Sequence, residues 1–468
     1  MMNSLQSPSI SPPQHPIFGH LSAFRQDALG FLTRCARHYG PVVPLRMLHK
    51  PAFLLLDSAD IEHVLVTDHK NFIKPAWLHT APVRRVLGDG LVTSDGADWR
   101  RQHHACQPAF HPHRMEHYGA LIAALASRAL TDWQPGQSRL LQKDMAHLAL
   151  QVVAHTLLDV DETGWSEEAS AAVDTLMARF TAHRSLFGMI PLPASLAERQ
   201  AGRQLDTVVE TLLRCHAERP ETMSLDPKRA DMLSVLRGSV GAGGEGMRGP
   251  ALRGQVKTFL SAGHESSALT LVWAFLLLAR APDVEAALWE ELENTLQGRA
   301  PAYADLPNLP YTRAIVQETL RLYPPVWMTG RQSLRPCEIG GFRIPAGAFI
   351  MTSQWAIQRL PQHFPCPDAF RPERWLNGET TDLPRFAYFP FGGGPRICIG
   401  QNFALVEAIL LLATIAQRFR LEPESGSEFH PWPSMTLRPP AGILMRLTAR
   451  TSPHTTAVLP DIPIRPSP

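Results

Sequence analysis

A mainly α-helical domain with a smaller β region is the fold this sequence predicts, on three observations. Helical apolar spacing runs almost unbroken from residue 59 to about residue 321. Short strand-like runs stand outside that stretch, at Val42–Met47 and 52–56 before it and at 338–344 and Phe349–Thr352 after it. No low-complexity linker divides the 468 residues, so the bulk of the chain reads as one large unit with a substantial core.

The elements follow in chain order. Residues 1–20 form a Pro-rich lead, and 24–39 carry helical spacing that stops at Gly40. The two early strand runs then place a small sheet near the start. Pro and Gly punctuate the helical middle, as at Gly88-Asp89-Gly90, Pro191-Leu192-Pro193 and residues 241–249. A helix from near Pro250 to near Pro282 would be roughly 45 to 50 Å long at about 1.5 Å per residue, enough to pass through the core. Beyond residue 321 proline becomes dense, and one more long apolar helix occupies Gln401–Arg418. The expected division is a lead over 1–20, a catalytic domain over 21–450 and a disordered tail over 451–468.

Composition excludes several function classes. Lys plus Arg total 45 against 43 Asp plus Glu, which gives no global reason to expect a nucleic-acid partner. The N-terminus has neither the basic start nor the apolar core of a signal peptide. The greasiest stretches, 268–278 and 408–416, fall short of the roughly 20 apolar residues of a bilayer crossing, so they read as buried helices and no transmembrane anchor is expected. Six cysteines without paired spacing are too sparse for a disulfide framework and suit a reducing cytoplasm.

The chemistry concentrates in Phe391-Gly392-Gly393-Gly394-Pro395-Arg396-Ile397-Cys398-Ile399-Gly400. This Gly-rich loop delivers a cysteine directly before an apolar helix, where free amides and the helix dipole favour thiolate. A lone cysteine beside such a helix is more often a small buried hydrophobe. The flanking residues reverse that reading: Phe391, Gly394, Arg396, Cys398 and Gly400 meet the pattern Phe-x-x-Gly-x-Arg-x-Cys-x-Gly, and the sequence here resembles the cytochrome P450 family. The resemblance implies the P450 fold, with haem b (iron protoporphyrin IX) between the long central helix and the cysteine loop. Cys398 is then the axial thiolate, Phe391 its shield and Arg396 a propionate partner.

Four further segments match the family in order. Glu318 and Arg321, at i,i+3 on one helical face, with Arg374 in Phe370-Arg371-Pro372-Glu373-Arg374-Trp375, correspond to a buried structural triad. Arg331 falls where many members place a propionate-binding arginine. Trp99 and His103, at i,i+4, correspond to another propionate pair whose second member is commonly Arg, so His makes that charge depend on pH. Ala262-Gly263-His264-Glu265-Ser266-Ser267 is expected to interrupt the central helix and open a groove. Its Glu265 and Ser266 take the places of the acid and alcohol that deliver protons to dioxygen, with Ser lacking the methyl of the usual Thr.

By family position the pocket would be lined by the 74–91 loop, Ala262, Val326, Trp327 and Met328, apolar enough for a lipophilic substrate such as a terpenoid, fatty acyl chain or polyketide. The implied reaction is insertion of one oxygen atom from O2 into that substrate, as hydroxylation or epoxidation. Gly241-Ala242-Gly243-Gly244-Glu245-Gly246 contains Gly-x-Gly-x-x-Gly, but residues 231–237 before it have helical spacing, so no nicotinamide module is expected there. Electrons would come from a separate ferredoxin or flavodoxin with its reductase, docking near Arg100 and Arg101. His104, Cys106, His111 and His113 match no zinc spacing. Rival readings are a haem-thiolate peroxygenase or rearrangement enzyme, a non-catalytic sensor or carrier of a gas or lipophile, and a haem-free scaffold.

Overall fold

A computed structural model describes residues 11–159, 166–177, 195–218, 231–238, 246–424 and 429–450. The expected tail over 451–468, the Pro191–Pro193 punctuation and most of the Gly-rich stretch at 241–245 lie outside them. Within them the architecture is mainly α-helical with four small sheets.

The largest sheet is mixed and has five strands, in spatial order Val42–Met47, Lys50–Leu55, Phe349–Thr352, Thr329–Ser333 and Phe72–Ile73. It is therefore not a unit of the N-terminal segment alone, because its third and fourth strands arrive from beyond residue 321. Lys50–Leu55 runs parallel to Phe349–Thr352 with Leu54 opposite Met351, and the buried Leu54, Leu55, Ile350 and Met351 fill that lobe's core. The run expected over 338–344 is a hairpin, Cys337–Ile339 with Phe342–Ile344, turned by Gly340 and Gly341 at positive φ. A reversal there needs the left-handed backbone that glycine adopts without Cβ strain.

The helix expected over 24–39 is two helices, Leu21–Gln26 and Ala28–His38. Asp27 leaves helical geometry at φ −154° and its carboxylate caps the second helix by accepting from the Gly30 amide at 2.8 Å. The central helix is Gly249–Leu278, 30 residues and about 45 Å long. It ends before Pro282, which instead opens the next helix, Pro282–Leu296, at 113° to it. Apolar on nearly every side, it passes between Leu141–Val153, Pro310–Leu322 and Gln401–Arg418. Both apolar stretches read as buried are so, from Ala268 to Leu278 and from Ala408 to Ala416. Among the described residues no single helix is long and apolar enough to cross a membrane. Met232–Gly238, just before the Gly-rich stretch, is helical as its spacing predicts.

Candidate active site

The cysteine loop is held by its glycines and by one backbone bond. Gly394 sits at φ +68°, and a Cβ there would collide with the Leu65 carbonyl. The Cys398 amide donates to the Phe391 carbonyl at 2.9 Å, closing the loop, and Gln401–Arg418 starts directly after Gly400. Cys398 has accessible surface, yet protein surrounds it so fully that burial pushes its thiol up, against the opposing pull of the Gly400 N–H. Phe110 links this loop to the central helix, its ring 6.5 Å from Phe403 and 5.6 Å from Phe259, one turn before Ala262.

On the central helix Ala262 is exposed and Gly263 and Ser266 are half-buried, while Ser261, His264, Glu265 and Ser267 are buried. Positions i and i+4 share a face, so Ala262 and Ser266 form an open stripe on a helix that is covered around them beyond its exposed first turns. Contrary to expectation the helix is not interrupted there. The Ser266 hydroxyl donates to the Ala262 carbonyl at 2.9 Å and Thr270 donates to the Ser266 carbonyl at 2.8 Å, added bonds that leave the helical ladder intact.

Around Asp95 stand several cations. Arg396 pairs with the Asp95 carboxylate and lies over the Trp99 ring, its guanidinium carbon 3.8 Å from the centroid, and Trp99 in turn packs on His103 at 4.9 Å. Lys74 donates to the carbonyls of Leu91 and Val92 at 2.8 and 2.7 Å. Burial, then the neighbouring Arg396, brings Lys74 down to about 7 and Arg331 down to about 10. Burial first, and Arg396 and His104 after it, also lower His103. Arg331 makes a 2.9 Å bond only to the adjacent Gly330 carbonyl, so its charge has no carboxylate of its own among the described residues. The structure thus brings Trp99, His103, Arg331 and Arg396 together as the sequence implied, and adds Lys74 and Asp95, which sequence reasoning missed.

Glu318, Arg321 and Arg374 meet with no solvent exposure. Arg321 binds both Glu318 oxygens at 2.8 Å, and Arg374 and the Trp375 indole add bonds at 3.0 and 2.9 Å. The remaining Arg321 donors go to the carbonyls of Gln358, Pro367 and Ala369. This pins Pro310–Leu322 to the turn-rich segment 358–375, which leads towards the cysteine loop.

The expected pocket wall divides. Val326 is exposed. Trp327, by contrast, is 2 % exposed and belongs to the core of the five-stranded lobe, stacked on Phe24, with its indole N–H donating to the Ser434 carbonyl at 2.8 Å. It packs into that core rather than standing as a pocket wall, held by the Phe24 stack and the bond to Ser434. Met328 lines a cavity of about 220 Å³ with Pro75, Trp77, Phe24, Phe349 and Met351.

Glu265 also has partners that no motif announced. Its Oε1 accepts from the Thr436 hydroxyl at 2.7 Å and from Arg438 Nε at 2.9 Å, with Arg438 Nη2 closer still. Arg438 reaches Asp174 as well, at 3.1 Å.

The model of the cytochrome P450 family matches residues 10–446. The chain belongs to the cytochrome P450 family. It is similar to cyclooctat-9-en-7-ol 5-monooxygenase of Streptomyces melanosporofaciens, 35 % identical over 89 % of this chain and 90 % of that one. Pentalenene oxygenase of Streptomyces avermitilis is 32 % identical over 94 % and 97 %. Among solved structures the cytochrome P450DA haem domain superposes with a TM-score of 0.80 at 26 % identity, covering 96 % of this chain and 98 % of that one. This P450 is a haem b monooxygenase that inserts one atom of O2 into a lipophilic small molecule with electrons from redox partners. The residues present fit haem b: a thiol before a helix N-terminus, a stripe of small residues on the central helix, and excess positive charge that two propionates would neutralise.

Proposed function

We propose that Cys398, as thiolate, binds the haem iron, that Arg396, Arg331, His103, Trp99 and Lys74 hold the propionates, and that the substrate is a cyclic terpenoid. When bound, haem supplies the oxidising power for O2 activation, and the protein supplies orientation and protons. Ala262 and Ser266 carry the reading furthest, as an accessible stripe on a helix that is core around them. Ala262 leaves room for substrate and O2, and Val326 and Met328 add apolar wall. The Ser266 hydroxyl, which donates to the Ala262 carbonyl and lacks the threonine methyl that would fix its rotamer, orients a proton for transfer. Glu265, one residue before it, brings that proton in from the solvent side.

The terpenoid assignment takes its support from the two Streptomyces relatives, a cyclooctat-9-en-7-ol 5-monooxygenase and a pentalenene oxygenase. For the electron donor we propose an acidic ferredoxin or flavodoxin with its reductase. Arg100 and Arg101 are both exposed on Gly96–Cys106, the helix whose other side carries Trp99 and His103, and so offer a basic contact near the haem edge. Six unpaired cysteines support a cytoplasmic location.

The test is turnover of cyclic terpene hydrocarbons and alcohols with a bacterial ferredoxin, its reductase and isotopically labelled O2. One labelled oxygen per product molecule is expected. Label-free product, or turnover of linear fatty acids with none of the cyclic terpenes accepted, contradicts the assignment.

A further inference from the structure

A carboxylate that passes protons must be able to take one up. In this chain the acid that precedes Ser266 is held by three donors on a single oxygen. Glu265 is only 7 % exposed, and its Oε1 accepts from the Thr436 hydroxyl and from two nitrogens of Arg438. Its other oxygen, Oε2, is buried and takes no bond from the described residues. The donors arrive on the turn between Trp432–Pro433 and Leu437–Arg438, a two-stranded ribbon that lies over the central helix. Trp273 fastens that ribbon from below, its indole N–H donating to the Leu437 carbonyl at 3.0 Å.

We propose that Arg438 is a positioning residue for proton delivery, holding Glu265 as an oriented carboxylate through Oε1 and leaving Oε2 as the oxygen through which protons pass. The inference rests on the reading of Glu265 as the proton carrier. Each transfer is balanced: the carboxylate takes a proton from the solvent side, releases it towards Ser266, and returns to the anion that Arg438 favours. Arginine is suited to this because it keeps its charge at any working pH and binds with a planar fork, so it orients without exchanging the proton itself.

The other charges facing this acid are His264, on the same helix, and Asp174, on Ser166–Met177. His264 is buried, and burial lowers it, so it adds no competing cation at neutral pH. Asp174 shares Arg438 at 3.1 Å, but its side chain is 63 % exposed, so solvent screens that bond. Glu265 is therefore the dominant partner of Arg438 and Asp174 a minor one.

The experiment uses the haem-loaded enzyme with Arg438→Gln, Arg438→Lys, Asp174→Asn and Glu265→Gln. The hydrogen bonding of Glu265 is read from the infrared carboxylate band that Glu265→Gln abolishes, beside product formed per electron pair. Arg438→Gln should shift that band and divert electrons to peroxide, lowering product per electron pair. Arg438→Lys should restore most of both, and Asp174→Asn should leave both near wild type. If Arg438→Gln folds, retains haem and leaves the Glu265 band where it was, the proposal is overturned. If instead Glu265→Gln itself leaves product per electron pair unchanged, the proton-carrier reading falls, and this inference with it. Should Arg438→Gln fail to fold, Arg438→Lys decides: a small band shift with a small loss of coupling supports the proposal, and a band left in place, or coupling lost without a band shift, contradicts it.

Discussion

Arg321 and Arg331 stand ten positions apart in the sequence and in opposite electrostatic circumstances. Every nitrogen of the Arg321 guanidinium is bonded, to Glu318 or to backbone carbonyls, in a cluster with no exposure. Arg331 is nearly enclosed as well, yet it has only the neighbouring Gly330 carbonyl, and burial together with Arg396 depresses it to about 10. The first cluster is complete in the polypeptide and serves as scaffold. The second has an excess of positive charge and is completed only by an anionic ligand. Electrostatic completeness within the chain thus separates a structural site from a binding site.

The largest effect should come from breaking the complete cluster. Glu318→Ala leaves two enclosed guanidiniums without their shared carboxylate and should destabilise the fold by about 3 to 5 kcal/mol, seen as a large loss in thermal stability and in haem-loaded yield. A variant that melts like wild type would show that the triad does not brace the cysteine loop. Arg331→Met should do the reverse. It removes an uncompensated charge, so the haem-free protein should be no less stable, while haem transfer to an acceptor globin should accelerate about tenfold, the loss of one charge-assisted contact of about 1.5 kcal/mol. Equal destabilisation by both substitutions would erase the distinction.

A further effect, spread over several pH units, is a pH dependence. Lys74 falls to about 7 in the haem-free fold, from the usual value near 10.4 in an unfolded chain. Between those values the unfolded chain holds the proton and the folded one does not, so stability from this group rises with pH across that window. Below about 7 both states are protonated and the full destabilisation is present. Denaturant midpoints of haem-free protein should therefore rise from pH 7 towards 10, and Lys74→Met should flatten that rise. A slope unaltered by the substitution contradicts the assignment of Lys74 to the cation cluster.

How much was legible depended on distance along the chain. The cysteine loop, from Phe391 to Gly400, is contiguous, and its chemistry follows from local order. The central helix, the strand at Phe349–Thr352 and the helix at Gln401–Arg418 were legible from apolar periodicity, because burial imposes it. Lys74 and Asp95 were not, since they join Arg396 only when a loop and a helix start from the first hundred residues fold against the cysteine loop. Arg438 lies 173 residues from Glu265, and no spacing rule connects them. The break at Asp27 did have a signal, an aspartate three residues before Gly30 in cap position. Trp327 was assigned to the pocket by position alone, and its partners in the core, Phe24 and the Ser434 carbonyl, come from segments about 300 and 107 residues away.

The most direct test is the absorption spectrum of the dithionite-reduced, CO-treated protein beside Cys398→Ala. The account predicts a red-shifted, thiolate-type Soret band in the wild type and its loss in the variant. A histidine-type band in the wild type, or the same thiolate band in Cys398→Ala, would contradict the assignment of Cys398 as the haem ligand.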